Sequence, residues 1–241
     1  MLDSRFIAYL PIATTFVAVI FFVALLRRYF LKHSGVHLLW WAAGVLTYGT
    51  GTALESLITI LGNSVLLNKL WYVMGALLGA YPLAQGTVYL LIARRTANRL
   101  MVLTLPLVLG LAVLVLLSPV EMDRFQPNEP SGKILGWVWL RWMTPLINLY
   151  AAGFLVGGAV VSSWKYFAEG TFKHRAVGNA LIATGAILPG IGGAAAKTGS
   201  VQLLYVTEFI GLILIWLGYI FCLRESPVIV PSPEVISASD R

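Results

Sequence analysis

Apolar residues occur along the chain in seven runs that are separated by mostly short polar connections. A transmembrane helix needs about 20 predominantly apolar residues, and each run approaches or exceeds that length. The pattern therefore predicts an all-α, polytopic membrane protein folded as a seven-transmembrane-helix bundle. The predicted spans are residues 6–26, 38–61, 70–93, 100–117, 136–163, 176–196 and 201–223.

The seven spans make up one predicted transmembrane domain, residues 1–223, and residues 224–241 are predicted to form a flexible cytoplasmic tail. The tail holds three prolines and shows little apolar periodicity. The longest connection between spans, residues 118–135, is either a solvated connector or a cover over an outward-facing opening.

Lysine and arginine are unequally divided between the two sets of connections. Cytoplasmic connections of membrane proteins carry an excess of these two residues. Eleven of the 17 lie in one set, which includes the carboxyl-terminal tail. We therefore expect the amino terminus outside the cell and the carboxyl terminus in the cytoplasm. The eleven are Arg27, Arg28, Lys32, Arg94, Arg95, Arg99, Lys165, Lys173, Arg175, Arg224 and Arg241.

Composition excludes a soluble domain. The chain is 59% hydrophobic and 11% charged, whereas about a quarter of the residues of a soluble domain are charged. The net charge of +7 follows from the membrane topology, so it does not indicate a nucleic-acid partner. We expect a multi-pass protein of the cell inner (plasma) membrane, with membrane lipids as partners.

Two acidic residues lie inside the predicted spans. Glu55 precedes the outer end of the second span by about seven residues, and Glu208 follows the outer start of the seventh by about seven. At 1.5 Å per residue, both lie roughly 10 Å below the outer interface. Ionisable residues at membrane depth are costly and mark functional sites. We hypothesise that at least one of them is proton-coupled or bound to a cationic partner.

Further polar side chains are expected to face the two glutamates. Tyr48 shares a helix face with Glu55, and Tyr205 shares one with Glu208. These groups predict a polar chamber that opens to the outside; the alternative is that they only hold helices together. The predicted chamber is lined by Glu55, Glu208, Tyr48, Gln85, Tyr205 and Arg141.

The sixth span contains a proline followed by small residues. Pro189 removes a helical hydrogen bond and favours a kink. With Gly192 and Gly193 it forms a predicted hinge. A ligand would shift this hinge only if it bound the two states of the hinge with different affinity.

Cofactor and catalytic motifs are missing from the sequence. A retinal Schiff base needs a lysine in the last span, and residues 201–223 contain none. His33 and His37 are four residues apart, but Gly35 between them disfavours a helical metal site. Hydrolase, metalloprotease and phosphate-loop motifs are also missing. We therefore expect no metal, no cofactor and no enzymatic activity.

Four segments of the sequence form a recognisable pattern. They are Leu70-Trp71, Gly86-Thr-Val-Tyr-Leu-Leu, the stretch from Arg175 through Leu188-Pro189-Gly190-Ile191-Gly192, and the last span after Tyr205-Val-Thr-Glu208. This pattern resembles the seven-helix amino-terminal sensor region of some bacterial histidine kinases. The resemblance implies a membrane domain that detects an external or membrane-borne signal and passes it to a cytoplasmic output domain. Because residues 224–241 leave no room for such a domain, we expect the signal to pass to a separate partner protein.

Three functions are compatible with these features. The first is a sensor or receptor-like membrane protein that binds a small or lipidic ligand, or a partner protein, within the bundle. The second is an accessory or structural subunit of a larger membrane complex. The third is a small proton-coupled transporter that uses Glu55 and Glu208. A receptor needs a chamber open on one side only, whereas a transporter needs a cavity that reaches the membrane midplane.

Overall fold

The computed structural model describes residues 4–32, 35–170 and 172–224. Within these ranges the chain is helical almost throughout, and its one β pairing is an isolated bridge between Val120 and Leu135. The all-α prediction is confirmed. The α-helices are α1 (Ser4–Ala8), α2 (Leu10–Lys32), α3 (Val36–Leu61), α4 (Val65–Trp71), α5 (Tyr81–Leu91), α6 (Arg94–Leu117), α7 (Val138–Ala151), α8 (Gly157–Glu169), α9 (Lys173–Lys197) and α10 (Val201–Leu223).

Two segments of π-helix lie within the bundle. Tyr72–Leu77 follows α4 and packs against α3, and Ala152–Val156 joins α7 to α8 and packs against α5 and α9. Such segments are rare and are frequently found at functional sites. Of the predicted tail, residues 225–241 lie outside the described residues, as does His33.

Five helical segments of the described chain are long and apolar enough to cross a bilayer. They coincide with five of the predicted spans, and they support a membrane protein with several transmembrane helices. The segments are Phe6–Lys32, Arg94–Leu117, Val138–Glu169, Lys173–Lys197 and Val201–Leu223.

The other two predicted spans, residues 38–61 and 70–93, do not belong to this set, so the count of seven and its orientation are not shown. Helix α3 has 26 residues, but small, hydroxyl and acidic residues buried on one face lower its hydropathy. Residues 70–93 are not one helix, because the chain leaves helical geometry from Leu78 to Ala80. Helix α5 then begins at Tyr81, with Pro82 in its first turn, and has only 11 residues.

Glycines bring α9 and α10 into backbone contact. A Cβ atom on Gly185 would lie 2.6 Å from the Gly211 carbonyl oxygen, and one on Gly211 would lie 2.7 Å from the Gly185 oxygen. Gly178 and Gly218 make the equivalent contact, seven residues before Gly185 in α9 and seven residues after Gly211 in α10. A seven-residue repeat of small residues is typical of helices that pack closely at a shallow left-handed crossing.

The two ends of the bundle differ in charge. The end that joins α2 to α3, α5 to α6 and α8 to α9 is called the basic end, and the opposite end, which carries residues 118–135, is called the loop end. The basic end holds Arg27, Arg28, Lys32, Arg94, Arg95, Lys165, Lys173 and Arg175.

The connection 118–135 packs against the loop end of the bundle. Ile134 is fully buried. The Asn68 side chain of α4 bonds both backbone groups of Ser131, donating to its oxygen at 2.8 Å and accepting from its nitrogen at 2.9 Å. These contacts hold the connection against the bundle, and a role as cover over an opening stays a prediction.

The glycine contact between α9 and α10 predicts a stability loss on small substitutions. Gly185→Ala and Gly211→Ala should each lower the free energy of unfolding by about 1–3 kcal/mol, because each added methyl group meets a backbone oxygen. Thermal unfolding of the detergent-solubilised protein measures this loss.

Gly190 provides the matched control on α9, because a Cβ atom there meets nothing within 4 Å. Gly190→Ala should leave the unfolding temperature unchanged or slightly raised, since alanine favours helix. Equal losses for Gly185→Ala and Gly190→Ala would contradict the packing explanation.

Candidate functional site

Glu55 of α3 and Glu208 of α10 face each other inside the bundle. Their carboxyl groups lie close to one another. Glu55 is 1% exposed. No donor among the described residues reaches the Oε2 oxygen of either glutamate, and both of these oxygens are enclosed. The two acids that the sequence puts at equal depth therefore form a pair, which we call the carboxyl pair.

Trp71 supplies a hydrogen bond to the carboxyl pair. Its Nε1 donates to Glu55 Oε1 at 2.7 Å. The close contact of α3 with the first π segment makes this bond possible, since a Cβ atom on Gly51 would lie 3.0 Å from the Gly75 Cα. A larger residue at position 51 would push the π segment, and with it the indole, away from Glu55.

Sequence reasoning did not include Trp71 in the site, although one signal was available. Asn63 lies in the tight turn between α3 and α4, with Glu55 eight positions before it and Trp71 eight positions after it. In an antiparallel helix pair, residues equidistant from the turn lie at the same depth. The equal spacing from the turn does not show which side of α4 faces α3.

Two tyrosines enclose the carboxyl pair. The Tyr48 hydroxyl of α3 donates to the Glu208 backbone oxygen at 2.9 Å, which links α3 to α10. Tyr205 is 5% exposed, and its hydroxyl lies close to the side chain of Thr59. The structure therefore brings together four of the six predicted chamber residues.

The other two predicted chamber residues lie elsewhere in the bundle. The Gln85 side chain accepts from the Tyr150 hydroxyl at 2.8 Å and lies close to the Ala97 backbone oxygen, so it joins α5 to α6 and α7. Arg141 lies near Tyr72, and among the described residues it forms no ion pair with either glutamate.

The three predicted hinge residues lie within one uninterrupted α-helix. Helix α9 continues through Pro189 to Lys197. A Cβ atom on Gly192 would lie 2.8 Å from the Leu204 Cα, so this glycine packs against α10. Gly193 has open space beside it. A hinge movement at these positions stays a prediction.

A cavity of about 500 Å³ opens at the loop end, next to the carboxyl pair. We call it the loop-end cavity. Thr59 and Tyr205 line it, and each is about one helical turn from a member of the pair. Glu129 from the packed connection also lines it and adds a negative charge. The cavity is therefore suited to cationic rather than anionic molecules.

The arrangement requires a proton or a cation between the two carboxyl groups. Two ionised carboxylates in contact, both shielded from water, would lose hydration and repel each other. A shared proton removes the repulsion and supplies the missing donor. A bound cationic group would do the same. No lysine or arginine of the described residues forms an ion pair with Glu55 or Glu208.

Residues that commonly bind metals are not clustered in the described part of the chain. No group of three or more His, Cys, Asp or Glu side chains there is arranged to hold a metal ion. Comparison with family models, curated proteins and solved structures found no match to this chain. The argument for function therefore rests on the site itself.

The Trp71 hydrogen bond predicts a specific cost of removal. Trp71→Phe keeps most of the ring but removes the donor to Glu55, and should lower the free energy of unfolding by about 1–3 kcal/mol. Trp142, which is 71% exposed, gives the matched control. Trp142→Phe should change the unfolding temperature little, and a similar loss in both variants would contradict a role for the indole N–H.

Proposed function

We propose that this chain is a sensor or receptor-like membrane protein that binds a ligand within a seven-helix bundle, and that the carboxyl pair is the element that responds. The observation that carries the proposal is the closeness of two glutamates from α3 and α10, each with an enclosed carboxyl oxygen. Burying two acids in contact is costly, and such groups inside membrane helices are associated with function. The loop-end cavity is lined by Thr59 and Tyr205, about one helical turn from the pair, and the proposal is that a ligand reaches the pair from this cavity.

The proposal includes seven transmembrane spans with the amino terminus outside and the carboxyl terminus in the cytoplasm. Helix α3, at 26 residues, is about 39 Å long and reaches across a bilayer. The excess of lysine and arginine at the basic end supports a cytoplasmic location for that end. In this orientation the loop-end cavity opens to the outside of an inner (plasma) membrane.

The ligand at the loop end is a proton or a cationic molecule. A cationic group that enters past Thr59 and Tyr205 meets two carboxyl oxygens that lack donors. Its binding would replace the shared proton. Because a cationic group is larger than a proton, it would favour an arrangement of α3 and α10 in which the two carboxylates lie further apart. Because the resemblance to kinase sensor regions implies a cytoplasmic output, we propose that a partner protein receives the signal at the basic end.

A proton-coupled transporter is the second candidate, and the carboxyl pair favours it as well. A transporter requires a path from the pair to the other end of the bundle. Val45 on α3 and Leu212 on α10 lie between the pair and the basic end, and they are 0% and 1% exposed. This packed layer favours a receptor with a chamber open on one side.

The shared proton predicts how stability depends on pH. Alkaline pH removes the proton from the folded protein and leaves two adjacent charges. Because the folded protein holds the shared proton more tightly than the unfolded chain does, the free energy of unfolding falls as pH rises. Glu55→Gln and Glu208→Gln should each reduce this alkaline loss by about 1–3 kcal/mol, because an amide donates to the remaining carboxylate without titrating.

Thermal unfolding of the three proteins over a pH series measures the effect, and Glu121→Gln is the control. Glu121 forms an exposed ion pair with Arg124 at 2.9 Å, which contributes little to stability. Its variant should keep the wild-type pH dependence. Wild-type pH dependence in both Glu55→Gln and Glu208→Gln would overturn the proposal.

Ligand binding is tested with octylammonium, which joins a cationic group to a short apolar chain. It should raise the unfolding temperature of the wild type by mass action and leave Glu208→Gln unchanged. Octanol, which has the same chain without the charge, should have no comparable effect. Proton flux into vesicles containing the protein would contradict the receptor proposal and support the transporter.

A further inference from the structure

A second cavity, of about 470 Å³, lies at the basic end of the bundle. Helices α2, α3, α5, α8, α9 and α10 all contribute to it, so it occupies the centre of the bundle, and we call it the basic-end cavity. Its volume falls in the range of small-molecule binding pockets. Its deeper wall is apolar and is formed by Phe21, Leu38, Leu83, Leu155 and Ile215.

Three cationic side chains line the basic-end cavity, namely Arg28, Lys32 and Arg175. No acidic residue of the described chain forms an ion pair with any of them. Glu169 lies at the same end, and its ion pair is with Lys165, at 4.0 Å. The cavity therefore combines an apolar wall with a positively charged rim.

His37 lies in the field of two of these cationic side chains. It lines the cavity at the start of α3, before the predicted span. Burial and the charges of Lys32 and Arg28 lower the pKa of its imidazole. Of these causes, the positive charges of Lys32 and Arg28 also favour an anion in the same place.

Two polar groups in the cavity wall lack partners. Tyr219 is 7% exposed, and its enclosed hydroxyl has no hydrogen-bond partner among the described residues. The Nε of Arg175 is also enclosed and without an acceptor. The Arg175 guanidinium lies 4.8 Å from the centre of the Phe172 ring, a stacking contact that holds its orientation. Both groups are donors that a bound anion would satisfy.

We propose that the basic-end cavity binds an anionic phospholipid, with its phosphate at Arg28 and Arg175 and an acyl chain along the apolar wall. The charged rim and the unpartnered donors recognise the phosphate, and the apolar wall holds the chain. Inorganic phosphate alone would leave the wall empty, and a zwitterionic lipid would bring a cation to the rim. The inference rests on the proposed function only in placing the bundle in a bilayer, since it uses neither glutamate.

The experiment measures lipid retention by native mass spectrometry of delipidated protein in nonionic detergent. Dioleoyl phosphatidylglycerol should bind about tenfold more tightly than dioleoyl phosphatidylcholine. Arg28→Gln and Arg175→Gln should each weaken phosphatidylglycerol binding by about tenfold, because each removes a charge-assisted hydrogen bond.

Neighbouring exposed cations provide matched controls. Arg27 precedes Arg28, and Lys173 lies two residues before Arg175 at the start of α9. Both are exposed, and neither lines the cavity. Arg27→Gln and Lys173→Gln should keep the wild-type affinity. Equal weakening by all four variants, or equal binding of the two lipids, would overturn the proposal.

Cys222 provides a second readout that does not depend on charge variants. It is the single cysteine of the chain and it lines the cavity. Phosphatidylglycerol should slow its labelling by a thiol reagent about tenfold, and Ser162→Phe, which fills the cavity without removing a charge, should abolish that protection. Dodecyl phosphate should protect Cys222, whereas equal protection by inorganic phosphate would overturn the lipid assignment.

None of these variants alters Glu55 or Glu208. Loss of the predicted lipid selectivity would therefore leave the test of the carboxyl pair intact, and a failed pH test would leave the lipid result intact.

Discussion

The burial of two carboxyl groups in contact is the constraint on which this structure depends. Glu55 and Glu208 belong to helices far apart in sequence, and no lysine or arginine of the described residues forms an ion pair with either. Their charges must be neutralised by an exchangeable proton or a reversibly bound ligand, because no side chain among the described residues does so. A site of this kind is costly for stability, and that cost is offset by the close packing of the surrounding helices.

The glycines set the geometry of the carboxyl pair. The contacts of Gly185 with Gly211 and of Gly178 with Gly218 fix how close α10 lies to α9. Gly51 allows the first π segment to approach α3, so the Trp71 indole reaches Glu55. Packing forces act over short distances, and a single methyl group is enough to separate two backbones in contact.

Sequence reasoning was most successful where one helix could be considered alone. Apolar length identified five membrane-compatible segments, and depth along each helix placed Glu55 and Glu208 at the same level. It was less successful in predicting which residues face the carboxyl pair, because this depends on the rotational orientation of each helix about its axis. Gln85 and Arg141 are polar residues in predicted spans, yet they face α6, α7 and Tyr72 rather than the pair. The break in residues 70–93 was also missed, because average hydropathy does not register a turn before Pro82.

The two cavities divide the bundle into regions of opposite preference. Glu129 and the carboxyl pair make the loop end suited to cations, whereas Arg28 and Arg175 make the basic end suited to anions. The same two helices serve both, since α3 carries Glu55 and His37, and α10 carries Glu208 and Tyr219. Between the cavities the packed layer blocks passage of a ligand but not movement of a rigid helix. If ligands at the two ends bind different positions of α10, binding at one end changes the affinity at the other, and by linkage the reverse holds equally.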